Sequence, residues 1–166
     1  ESGFNLLPSV VRTYAPRGCT PIIYEGNSHD HLSVIGGLTR RGRFYMRVYE
    51  KALRGPQVAE FLRHLLRQIP GKVMVIWDRA SIHRSQEVKD LLRTRTGKRL
   101  WLEQLPVAAP ELNPTEGVWM LLKDELKNLA CLDLSVLNHE LHLASRRLRS
   151  QPKLLISCFA QAHLKV

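Results

Sequence analysis

Residues 72–83 read KVMVIWDRASIH, and the fold turns on how this stretch is read. KVMVIW at 72–77 is a continuous apolar run that follows a helix, which predicts a strand covered on both faces. The preceding helix is announced by Val58, Phe61, Leu62, Leu65, Leu66 and Ile69, recurring at helical spacing between Gly55-Pro56 and Pro70-Gly71. Upstream the period changes to two. HLSVIGGL at 31–38 and RFYMRVYE at 43–50 alternate around a TRRG turn, with Phe44, Met46 and Val48 on one face and Arg43, Tyr45, Arg47 and Tyr49 on the other. Shorter strands are expected at 3–7 and near 21–24. Downstream, Ser85 is placed to cap a helix QEVKDLLRTR that stops near Gly97, RLWLEQL at 99–105 reads as another strand, and helices are expected at 114–129, 134–149 and 153–164. This order predicts an α/β fold: a mixed sheet with helices on both faces and the 72–77 strand near its centre.

The bulk numbers agree with one folded domain. The chain has 166 residues, 44% hydrophobic and 24% charged, and no apolar run approaches the length of a membrane span. It opens ESGFNLLPS, without the basic and then apolar regions of a leader. Cys19, Cys131 and Cys158 are odd in number and far apart, which disfavours a disulfide framework and fits a reducing compartment. A net charge of +10 favours a polyanionic partner, although charge alone does not separate DNA from RNA or an acidic membrane surface.

Two carboxylates stand out. Asp78 directly follows the apolar strand, and ligands of α/β sheets bind beyond the C-terminal ends of central strands. An aspartate there also accepts hydrogen bonds from a turn, here ASIH, and both roles remain open. Glu116 lies in LPVAAPELNPTEGVW at 105–119, where Asn113-Pro114-Thr115-Glu116 matches a helix start with Asn as cap and Glu in the first turn. Capping alone accounts for those residue types. A helical projection places Val118, Leu121, Leu122, Leu126 and Leu129 on the buried stripe, with Glu116, Lys123 and Lys127 together on a flank. A hard divalent cation such as magnesium, held by one or two carboxylates and substrate phosphates, is what would draw Glu116 away from the cap.

Other chemistry fits less well. His139 and His142 lack the H-E-x-x-H pattern and a third zinc ligand, Ser81 lacks a nucleophile elbow, and no phosphate-cradling loop is present. His83 has two readings, assisting phosphate placement or stabilising the turn.

WDRASIH at 77–83 and LPVAAPELNPTEGVWMLLK at 105–123 resemble the signature of DDE-type transposases, and more narrowly the bacterial insertion-sequence 630 group related to the mariner elements. ESGF at 1–4, TYAPRGCTP at 13–21 and SVIGG at 33–37 extend the resemblance, which covers most of the chain to about residue 130. It implies a ribonuclease H-like, retroviral-integrase-like fold with a five-stranded mixed sheet, here with extra C-terminal helices. It also implies that Asp78 and Glu116 are the second and third metal-binding carboxylates, with Glu111 ranked behind Glu116. Arg79 stands where the family often has Asn. The first catalytic Asp is expected immediately before Glu1, and Glu1 itself is expected to point to the other side of its strand. Asp30 is a substitute that precedes the wrong strand. The chain thus reads as a single catalytic domain, N-terminally truncated, without the first Asp or the upstream DNA-binding domain, and little cleavage by it alone is expected.

The activity implied is metal-dependent DNA strand cleavage and strand transfer in transposition, with two magnesium ions, or manganese in their place. The alternative is an inactive, basic DNA- or partner-binding remnant. The implied partners are double-stranded DNA, as transposon ends and target, and a second copy in a homodimer. No membrane is implied, and the expected location is the bacterial cytoplasm, on the nucleoid. Candidate phosphate contacts are Arg40, Arg41, Arg43 and Arg47 on the hairpin, Arg79 and Arg84 beside the site, and Lys123 and Lys127 on the helix; Arg146, Arg147 and Arg149 form a further basic cluster. Tyr45 and Tyr49, interleaved with arginines, are placed to stack on bases.

Overall fold

The alternating segments pair as a meander. In a computed structural model that describes residues 1–7, 9–12, 14–19, 30–107 and 109–165, strand β1 (Ser2–Asn5) lies antiparallel to β2 (His31–Leu38), which pairs antiparallel with β3 (Phe44–Tyr49). The β2–β3 turn closes through the Gly42 N–H on the Thr39 carbonyl at 2.9 Å, with Gly42 at φ 71°, a conformation glycine adopts without strain. The strand expected near 21–24 lies outside the described residues.

Helix α1 (Gly55–Gln68) then leads to β4 (Val73–Trp77), and α2 (Gln86–Arg93) leads to β5 (Leu100–Gln104), which lies parallel to β4. The Ser85 hydroxyl caps α2 by accepting from the Val88 N–H, as its residue type foretold. Arg99, just ahead of β5, donates to the carbonyls of Leu66, Ile69 and Gly71. Its guanidinium thereby satisfies carbonyls that the end of α1 leaves open and fixes β5 beneath it. Helices α3 (Pro114–Glu125), α4 (Leu134–Arg149) and α5 (Pro152–Gln161) complete the chain.

Alternation along β2 feeds two cores. Leu32 and Val34, with Phe4, Phe44 and Met46, pack against Trp119 and Leu122 of α3, Leu141 of α4 and Leu155 of α5. Ile35, on the opposite face, joins Phe61, Leu62 and Leu65 of α1 and Val88 and Leu91 of α2, with Val75, Trp77, Leu100 and Leu102 from β4 and β5. Helices therefore cover both faces of the meander.

Two expectations are corrected. The five strands form two hydrogen-bonded sheets, β1-β2-β3 and β4-β5, rather than one. The ladder of the short β1 goes to β2, and none joins it to β4 among the described residues. Nor is the 72–77 strand covered on both faces: Met74 and Ile76 are 62% and 60% exposed, and Trp101 beside them is 63% exposed. The reason lies in where the last helices go. α3 and α4 pack on β2, and α5 packs on them, leaving the outer face of β4 and β5 open.

Candidate active site

β4 ends at Trp77, and Asp78 follows at its C-terminal end. The Asp78 side chain is 56% exposed. Its Oδ1 accepts from the Ala80 N–H at 2.9 Å, so the turn-acceptor role is real, and the same oxygen lies 3.1 Å from His83 Nδ1. His83 sits in a 3-10 turn (Ser81–Arg84) and is buried. Its ring stacks on Trp77 with centroids 4.2 Å apart and planes 2° apart. Nδ1 is also 3.1 Å from the Asp78 carbonyl, while Nε2 is 2.8 Å from Glu1 Oε1.

Both ring nitrogens of His83 thus face acceptors, and only the doubly protonated ring donates from both. Burial pulls the His83 pKa down, but the Glu1 hydrogen bond, the Asp78 backbone bond and the charges of Glu1 and Asp78 together raise it above 6.5. Glu1, expected to point to the other side of its strand from the first catalytic position, meets His83. No local pattern announces a contact between residues 82 positions apart. The turn-stabilising reading of His83 holds, through its ring and through its N–H on the Ala80 carbonyl at 3.1 Å.

Glu116 lies in the first turn of α3. Asn113 caps that helix by accepting from the Thr115 N–H at 3.1 Å. A reciprocal capping box requires the Asn113 N–H for Glu116, and that N–H donates instead to the Pro110 carbonyl at 2.9 Å. The half-buried Glu116 carboxylate makes no hydrogen bond or ion pair among the described residues. The helix start therefore explains Asn113 and Pro114 but leaves Glu116 unused.

Three contacts fix the direction of α3 against β1. The Asn128 N–H, beyond the end of α3, meets the Ser9 carbonyl at 3.1 Å. Further back, Lys123 lies over the Phe4 ring at 5.8 Å and Trp119 meets Phe4 edge-on at 6.4 Å. α3 and the β1 segment run the same way, so one turn back from Trp119 carries Glu116 towards the Glu1 end of β1, where His83 and Asp78 sit. Asp30 is at the other end, because β1 pairs Asn5 with His31, and the idea that Asp30 replaces a site carboxylate is overturned. Glu111 is exposed in a separate 3-10 turn (Pro110–Leu112).

The basic residues divide. Arg79 donates from Nε to the Leu105 carbonyl at 3.1 Å, tying the end of β4 to the segment after β5. Arg43 and Arg84 are exposed. Arg47 is half-buried, with a buried Nε that has no partner, and lies near His64 of α1, whose pKa is lowered by burial and then by Arg47, Arg67 and Arg149. Lys127 pairs with Asp124 at 2.6 Å. The tyrosines are not the free stacking platform expected of them: Tyr45 packs edge-on to His64 and the Tyr49 hydroxyl donates to Glu60 at 2.9 Å. Their face of β3 is covered by α1.

Among the described residues no three His, Cys, Asp or Glu side chains converge as a ligand cluster, and His139 and His142 form no zinc site. The oxygens of Asp78 and Glu116 are hard donors. They suit a cation held by one or two carboxylates, water and phosphate rather than one in an all-protein cage. No helix among the described residues is long and apolar enough to cross a membrane.

Residues 1–137 match the family model of the DDE superfamily endonucleases. No curated protein sequence matches the chain significantly. Among solved structures, the Mos1 strand transfer complex shares the fold with a TM-score of 0.58 at 15% identity, over 99% of this chain and 53% of that one. The Mos1 mariner paired end complex with Mn gives 0.60 at 17% identity over 99% and 54%. The corresponding complex with Mg gives 0.60 at 16% over 97% and 53%. The chain spans about half the length of the Mos1 chains it matches.

Proposed function

The chain belongs to the DDE superfamily endonuclease family, and from that premise we propose that it is the catalytic domain of an insertion-sequence transposase, cutting and joining DNA strands with a divalent metal. What supports this reading is an exposed carboxylate at the end of β4, beside His83 and Glu1, and a carboxylate without a partner among the described residues in the first turn of α3, a helix that packs on β1 through Trp119 and Phe4.

In this reading Asp78 and Glu116 hold the metal, magnesium or manganese. When bound, such an ion neutralises charge building on the phosphodiester and its leaving oxygen. The chain's own residues do the rest. The Ala80 N–H holds the Asp78 carboxylate, with His83 beside it, and Asn113 caps α3 without drawing on Glu116. Arg43, Arg47, Arg79, Arg84, Lys123 and Lys127 neutralise backbone phosphates, with the exposed Arg43 and Arg84 contributing most and the half-buried Arg47 least. The substrate is double-stranded DNA, transposon ends and target, handled by a homodimer in the bacterial cytoplasm. The Mos1 structures, named as paired-end and strand transfer complexes, support that assembly. The two sheets are read as the halves of one ribonuclease H-like sheet, with β1 beside β4, and the two cores as one catalytic domain. The Glu1–His83 contact, which ties the two sheets together, supports this.

The test, run on the natural full-length protein because little cleavage is expected of residues 1–166 alone, is cleavage of a supercoiled plasmid and of element-end duplexes in magnesium or manganese. Cleavage lost in both Asp78→Ala and Glu116→Ala is the expected result. Binding of DNA without cleavage by either ion would favour the inactive-remnant reading.

A further inference from the structure

We propose that His83, anchored by Glu1 and Trp77, is a positioning residue that sets the orientation of the Asp78 carboxylate; the inference rests on the reading of Asp78 as a cation ligand. An aspartate as exposed as Asp78 ordinarily moves among rotamers. Here Oδ1 accepts from the Ala80 N–H at 2.9 Å and lies 3.1 Å from His83 Nδ1, whose hydrogen bond goes to the Asp78 carbonyl at 3.1 Å. That leaves Oδ2, which has no partner among the described residues, as the oxygen available to a ligand.

The ring beside Oδ1 is itself held in place. Its side chain is 6% exposed, it stacks on Trp77, and its far nitrogen is tied to Glu1 at 2.8 Å. The restraint therefore runs from the start of β1 through His83 to the end of β4, joining the two sheets at the site. Residues placed this way behind a ligating group fix its geometry without touching the ion, and their loss commonly costs about 10–100-fold in metal affinity.

A core histidine that merely fills space makes a different prediction, and two substitutions separate the cases. The amide nitrogen of Asn occupies the Nδ1 position and can keep the hydrogen bond to the Asp78 carbonyl and the contact with Oδ1. The amide nitrogen of Gln occupies the Nε2 position and can keep only the bond to Glu1. In metal-free protein the carboxyl 13C resonance of Asp78 is expected to stay near its original position in His83→Asn and to move in His83→Gln. Manganese affinity is expected to fall about 10–100-fold in His83→Gln and by less in His83→Asn. Thermal unfolding checks that both variants are folded. If they are not, Glu1→Ala replaces them, and the Asp78 resonance is expected to move there as well. Equal behaviour of the Asn and Gln variants, or an Asp78 resonance indifferent to Glu1→Ala, would overturn the proposal. Asp78→Ala is the separate arm. If it leaves manganese affinity unchanged while the resonances respond as described, the metal-site reading fails and the positioning role stands.

Discussion

Replacing Gly36 by Ala asks whether α3, which carries Glu116, is seated as tightly as its contacts indicate. A Cβ at position 36 would lie 2.6 Å from Trp119 Cη2 and 2.9 and 3.0 Å from Phe44 Cε2 and Cζ. Carbon atoms pack comfortably at roughly 3.5–4.0 Å, so the new methyl overlaps the indole by about 1 Å. Trp119 is 2% exposed and packed edge-on to both Phe4 and Phe44, so it has nowhere to turn. Overpacking of this kind costs about 1–3 kcal/mol, offset by about 0.4–1 kcal/mol from a stiffer unfolded chain. The net loss of about 1–2 kcal/mol corresponds to a fall of roughly 2–8 °C in Tm for a domain of this size. Gly37 is the control, because a Cβ there meets only Phe61, at 3.6 and 3.8 Å, which is ordinary contact. Neither glycine has a positive φ, so backbone strain does not confound the comparison. Thermal unfolding followed by circular dichroism should show Gly36→Ala clearly destabilised and Gly37→Ala unchanged or slightly stabilised. Equal melting temperatures for the two would refute the reasoning.

Arg99→Ala removes charge-assisted bonds to three carbonyls around the end of α1, and a loss of about 2–4 kcal/mol in urea unfolding is expected. Arg99→Lys should recover only part of it, since an ammonium cannot span the same fork. Tyr49 has its pKa raised to about 12 by burial and then by its hydrogen bond to and the charge of Glu60, so folding favours the neutral phenol. That contribution to stability is complete below pH 10 and is lost as pH rises through about 12; ultraviolet titration should show a late-ionising tyrosine that disappears in Tyr49→Phe.

The architecture was legible where short-range pattern and packing agree. Alternation at 43–49 assigned Phe44 and Met46 to one core and Tyr45 and Tyr49 to the other face, and the Asn113-Pro114 start of α3 is where its residue types put it. What escaped depended on tertiary placement. Met74, Ile76 and Trp101 look like buried strand residues because hydrophobicity records no covering layer, and among the described residues no helix supplies one. Tyr45 and Tyr49 looked available for stacking because nothing near them in sequence announces that α1 lies over their face. Trp119 was left off the buried stripe of α3 although it is among the largest fully buried side chains, because a second core residue beside Val118 widens that stripe. At the site, strand-end logic drew attention to Asp78 without settling its role, helix-start logic read Glu116 as a cap, and the metal role of both came from the family resemblance. The clamp of Glu1, His83 and Trp77 behind Asp78 was not legible, since it needs the start of β1 brought against the end of β4.

The central claim is that Asp78 and Glu116 serve one metal site. Protein with 13C-labelled carboxyl groups, titrated with substoichiometric manganese, tests it directly through paramagnetic broadening. The account predicts that the Asp78 and Glu116 resonances broaden together and that both are restored by excess magnesium. Broadening of one without the other, or of carboxylates elsewhere while both stay sharp, would contradict it.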